Sequence, residues 1–98
     1  MTAFPAVLTD RVNAALAQHL GLWLSEEKCA AIQGSYGFET SLLVKQVYET
    51  AVSVTVDWST QTMIEAVANV RHTLQHAYPW LEESSIQRLT SCFAYAWK

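Results

Sequence analysis

Val52-Ser53-Val54-Thr55-Val56-Asp57-Trp58 alternates apolar and polar residues without a break. Its β-branched side chains suit a half-buried strand. Taken with the segment before it, the same stretch also reads as a helix. Leu43, Val47, Ala51, Val54 and Trp58 then form one stripe, with Lys45 and Glu49 opposite. A strand needs a mate, and none is evident: residues 42–48 do not alternate, and Glu49-Thr50 is a poor hairpin turn. The segment is therefore read as a helix over 39–58, with a short strand at 51–58 as the alternative.

Working outward, the remaining segments carry helical signals. Pro5 suits a first turn, and Leu8, Val12, Ala15, Leu16, Leu22 and Trp23 fall on one side of a helix over about 5–22. Asp10, Asn13 and Ala17 take its other side. Ser25 reads as the N-cap of a second helix, with Glu26 and Glu27 in its first turn and Leu24 and Cys29 at staple spacing. Gly34 is its expected C-cap, and Gly34-Ser35-Tyr36-Gly37-Phe38 its closing loop. Beyond the ambiguous segment, Asp57 or Ser59 is expected to cap a helix over about 60–78. Met63, Val67, Val70, Leu74 and Ala77 line one of its faces, and Pro79 stops it. Trp80-Leu81-Glu82-Glu83 opens the last helix, with Ile86, Leu89, Phe93 and Trp97 facing inward. The expected fold is all-α, a compact bundle of four to five helices forming one domain over 1–98.

Composition narrows the function classes. Half the residues are apolar and nine acids stand against six bases, spread along the chain without a basic cluster. The electrostatic source of nucleic-acid binding is thus missing. No stretch approaches a membrane span, and the N-terminus lacks the basic, then apolar pattern of a signal peptide. Cys29 and Cys92 are too few for a disulfide framework, so reduced thiols and a cytoplasmic location are expected.

Candidate chemistry is sparse. His72 and His76 share a helix face at two-ligand metal spacing, but Thr73-Leu74-Gln75 between them lacks the Glu of a metalloprotease, and Glu65 lies nearly two turns away. They are weak metal candidates, and no cofactor is expected. His19 falls in an apolar stripe and reads as a neutral core residue. Cys29 reads as a small buried hydrophobe. Glu26-Glu27 and Glu82-Glu83 are adjacent, so their carboxylates diverge and serve the helix dipole rather than acid–base chemistry. Gln18-His19-x3-Trp23-Leu24-x-Glu26 echoes Gln75-His76-x3-Trp80-Leu81-x-Glu83, which reads as two uses of one helix–turn–helix solution.

The back face of residues 45–56 is harder to explain as structure alone. On the helix reading Val52 and Val56 lie beside Lys45 and Glu49, away from the Leu43 stripe. A helix apolar on both sides is central in a core or covered by a partner. Lys45, Glu49, Val52 and Val56, with Tyr95 on the far side of the last helix, are therefore the candidate partner-binding residues. The expected function is a non-enzymatic protein–protein interaction module. Its most concrete form is an immunity or inhibitor protein neutralising a basic toxin. A small-molecule- or metal-responsive domain using His72 and His76, or an obligate homodimer through 45–58, is the alternative.

Overall fold

The structure, a computed structural model, describes residues 5–97. These fold into five helices: α1 (Ala6–His19), α2 (Glu26–Tyr36), α3 (Phe38–Val52), α4 (Met63–Ala77) and α5 (Glu83–Ala96). No strand occurs among the described residues. The all-α bundle is thus the observed fold, at the upper helix number expected.

Helix α3 is the hub and touches every other helix. Helices α2 and α3 form one hairpin and α4 and α5 another, with α1 laid against α2, α3 and α5. The core follows the middle of each apolar stripe: Val12 and Leu16 from α1, Val44 and Val47 from α3, Val70 and Leu74 from α4, and Leu89 and Phe93 from α5 are fully buried, whereas Met63 and Ala77 at the ends of the α4 stripe and Trp97 beyond the end of α5 are exposed. Burying side chains of this size contributes about 1.5–3 kcal/mol each, which sets the helices' rotation.

The ambiguous segment is neither a helix through residue 58 nor a strand. Helix α3 ends at Val52, where the backbone N–H of Ser53 donates to the carbonyl of Glu49 (3.0 Å). The valines that follow keep their alternation: Val52, Val54 and Val56 are half-buried against the core, while Ser53, Thr55 and Asp57 face outward. The period-2 pattern is therefore one of burial, without a ladder. β-Branched side chains crowd a helix, and here they cover the core from an extended connection. Trp58, placed in the stripe by its spacing, is exposed and meets Trp97 edge-on at 5.3 Å between ring centres.

Other boundaries shift for local reasons. Helix α1 stops at His19, so Leu22 and Trp23 leave its stripe and are exposed. Ser25 caps α2 as expected, its Oγ accepting from the N–H of Lys28 (3.2 Å). Gly34 does not end that helix; it runs on to Tyr36, and Gly37 alone makes the break, at φ 96° and ψ 166°. Helix α4 is capped by neither Asp57 nor Ser59. Thr62 Oγ1 accepts from the N–H of Glu65 (3.3 Å), and Glu65 Oε1 accepts from the N–H of Thr62 (3.0 Å), a reciprocal capping box. Asp57 and Ser59 instead close a turn of their own. The Asp57 carboxylate accepts from the Ser59 hydroxyl (2.6 Å) and N–H (3.1 Å), bonds that hold its pKa below the ordinary carboxylate value.

Helix α5 has no side-chain cap from its own N-cap residue, Glu82. Asn13 of α1 supplies one across the bundle. Its Oδ1 accepts from the N–H of Glu82 (2.9 Å) and from Ser85 Oγ (2.7 Å), while its Nδ2 donates to the carbonyls of Thr9 and Trp80 (3.2 Å each). Asn13, expected on the polar side of α1, is in fact buried. A polar amide is tolerated there because it is satisfied on both ends.

Candidate functional site

A groove of about 440 Å³ with a largely apolar lining lies between α2 and α3. The Gly37 break turns the chain back so that the two helices run side by side, and neither the connection nor a third helix fills the seam above them. Leu24 and Cys29 form its floor at one side and Phe38, Leu42 and Tyr48 at the other, with Glu26, Lys45 and Glu49 among its polar lining. Phe38 is 63% exposed and Leu42 56%. Two adjacent leucines on one helix cannot both face the core, because neighbours diverge by about 100°; Leu43 takes the inside and Leu42 is left out. Phe38, read from sequence as loop, is the first residue of α3 and stands one turn before Leu42.

The five candidate partner-binding residues separate. Lys45 and Glu49 are exposed and line the groove together. Val52, the last residue of α3, and Val56, in the extended connection, are half-buried against the core and do not line it. Val56 therefore does not share a helix face with the others. Tyr95 is far from this constellation in role: its ring stacks on Trp23 at 5.5 Å and 24°. Trp23 in turn carries Lys28, whose Nζ lies 5.4 Å from the ring centre and donates to the Trp23 carbonyl (3.1 Å). The Trp23–Tyr95 pair ties the α1–α2 turn to the end of α5. Phe38 and Leu42 are what sequence reading missed, although the Leu42-Leu43 doublet carried the signal.

The weak metal candidates, His72 and His76, are both exposed on α4. Among the described residues no group of three or more His, Cys, Asp or Glu converges to hold a metal ion. Glu65 is occupied by the Thr62 capping box. His19, the last residue of α1, is half-buried and meets Tyr36 edge-on (6.3 Å, 88°), and the Tyr36 hydroxyl donates to Gln18. No described helix is long and apolar enough to cross a membrane.

No family model, curated protein or solved structure matches this chain. The functional reading therefore rests on the groove and its surroundings.

The two thiols differ sharply. Cys29 is half-buried and opens onto the groove. Cys92 is buried, donates to the carbonyl of Gly21 (3.2 Å), and has its pKa pushed up to about 11 by burial, with the Lys28 charge opposing. A thiol with that pKa is about one part in a thousand ionised at pH 8. Titration of the native protein with a thiol-specific disulfide reagent at pH 8 is expected to show one reacting thiol, the second at least about 100-fold slower until denaturant is added. Cys29→Ser should remove the fast phase alone. Two equally fast thiols would mean that Cys92 is not held as described. The same shift makes stability pH-dependent on the alkaline side. The unfolded thiol ionises from its ordinary value of 9.0 while the folded one stays neutral, so this contribution is full below pH 9.0 and is lost as pH rises toward about 11.

Proposed function

We propose that the protein is a non-enzymatic protein–protein interaction module whose docking surface is the α2–α3 groove. The observation that carries this reading is the pair Phe38 and Leu42, large apolar side chains one helical turn apart and more than half exposed beside an apolar concavity. Each large apolar side chain left in water forgoes roughly 1.5–3 kcal/mol of burial, which a partner seated in the groove would recover. In helix-in-groove recognition an amphipathic helix lays its apolar face into an apolar groove, and Phe38 and Leu42 form the wall such a helix would meet, with charges beside them to set register. Glu26, Lys45 and Glu49 supply those charges. The acids in excess over bases, nine to six, suit a partner of net positive charge. Neutralisation of a basic toxin is the most specific function in that class.

The test is affinity, measured with a partner purified on the immobilised chain and then titrated calorimetrically. Phe38→Asp with Leu42→Asp is expected to raise Kd by about 100-fold or more, with helicity and melting temperature unchanged because both side chains are exposed. Undiminished affinity in that variant would place docking elsewhere.

A further inference from the structure

The outward face of α3 has a pattern that specifies more than apolar docking. Phe38, Leu42, Lys45 and Glu49 lie within about 60° of one another around the helix, and all four are exposed. Lys45 and Glu49 stand four residues apart, close enough to pair along the helix, yet no salt bridge joins them to each other or to another described residue. Among the described residues the one ion pair joins Arg71 to Glu83. The order is also the less favourable one for pairing within a helix, with the cation on the N-terminal side. An opposite-charge pair of this kind is self-complementary under a two-fold axis. A second copy of α3 laid antiparallel, with the axis at the height of Val47, sets Lys45 of each chain opposite Glu49 of the other. The same register sets Leu42 opposite Val52, the half-buried last residue of the helix. The two charge pairs then sit at the centre, with Leu42 of each chain flanking them over the part of Val52 not packed on the core, and Phe38 extends the apolar surface beyond them.

We infer that the α2–α3 groove is a homodimer interface, in which a second copy of this chain docks α3 against α3 antiparallel through reciprocal Lys45–Glu49 pairs. This rests on the reading of the groove as a docking surface: a second copy covers the face in the absence of a basic partner, which would have to displace it. A closed two-fold contact buries the same patch on both chains, so it covers Phe38 and Leu42 without leaving a second open face to propagate. The patch is one helix and its flank, below the usual area of a tight interface, so the dimer is expected to be weak, with Kd on the order of 10–100 µM. The charge pairs lie in an interface one helix wide and stay within reach of solvent, so salt screens them and dissociation should rise with ionic strength.

Sedimentation equilibrium over a wide concentration range tests this directly. The wild-type chain is expected to dimerise, and Lys45→Glu alone or Glu49→Lys alone to weaken dimerisation at least about tenfold, because each places like charges together twice. Lys45→Glu combined with Glu49→Lys in one chain restores opposite charges across the axis and should return Kd to within about threefold of wild type. The sharpest arm mixes the two single variants. Each is poor at self-association, but together they should form a heterodimer, since every 45–49 contact is then of opposite sign. A dimer indifferent to all these changes would lie on another surface and overturn the inference. A wild-type chain that stays monomeric throughout would also overturn it. That result leaves the docking reading to the separate titration with Phe38→Asp and Leu42→Asp, so the two failures are distinguishable. Circular dichroism of each variant confirms that the exposed charges have been changed without loss of the fold.

Discussion

Replacing Asn13 by alanine is expected to lower the unfolding free energy by about 3 kcal/mol, measured by urea denaturation followed at 222 nm. The side chain is 6% exposed and bonded four ways. Truncation leaves the Glu82 N–H and the Ser85 hydroxyl facing a gap, and Ser85 is itself buried. Leaving a buried donor unsatisfied costs about 1–3 kcal/mol, and here the buried Ser85 hydroxyl and the part-buried Glu82 N–H lose their acceptor together. The bonds also have a structural role. In an ordinary capping box the third residue of a helix reaches back to the N–H of its N-cap. In α5 that third residue is Ser85, and Asn13 bridges it to the N-cap N–H of Glu82. The cap of the last helix is thus donated by the first. Ser85→Ala on the Asn13→Ala background should cost clearly less than on the wild type, by about 1 kcal/mol, because its partner is already gone. Additive losses would show that the two side chains do not act as a unit.

Two glycines three residues apart are expected to respond to alanine with opposite sign. Gly37→Ala should destabilise by about 1–3 kcal/mol, since φ 96° with ψ 166° lies in a region essentially reserved for glycine. Gly34→Ala should stabilise by about 0.5–1 kcal/mol, because Gly34 lies inside α2, where alanine is the better helix former. Space plays no part in the contrast: a Cβ at either position meets nothing within 4 Å. The difference is one of backbone conformation alone. In a domain of this size each kcal/mol moves the melting temperature by about 4–8 °C, so a thermal scan resolves both. The same sign at both positions would mean that the α2–α3 break is not where the structure puts it. The pair also bears on function, since the Gly37 turn is what sets α2 beside α3 and opens the groove.

Much of the fold was legible because helices announce themselves locally. The Ser25 cap, the Pro79 stop and the acid-first openings of α2 and α5 each depend on residues within about four positions of one another. Stripes such as Val12, Leu16 or Leu89, Phe93 name the buried face without reference to any other segment. The site was legible in part. Lys45 and Glu49 stood out by position and do line the groove. Val52 and Val56 were placed with them by counting at helical period through residue 58, and that count fails once α3 ends at Val52.

Near-neighbour signals were enough for the all-α class, for the starts of α2 and α5 and the stop of α4, and for the middle of each inward stripe. Three further matters depend on packing between helices: where α3 gives way to the connection that follows it, which apolar residues stay outside, and that Asn13 goes inside. Propensities and caps act between near neighbours, whereas these outcomes depend on what lies opposite. The valines after Val52 leave the helix yet still face inward, because the core offers them a surface there. Asn13 can be buried only because partners 67, 69 and 72 positions away meet it. Phe38 and Leu42 remain exposed because α1 covers α2 and α3 from the other side and no described helix lines the groove between them but these two.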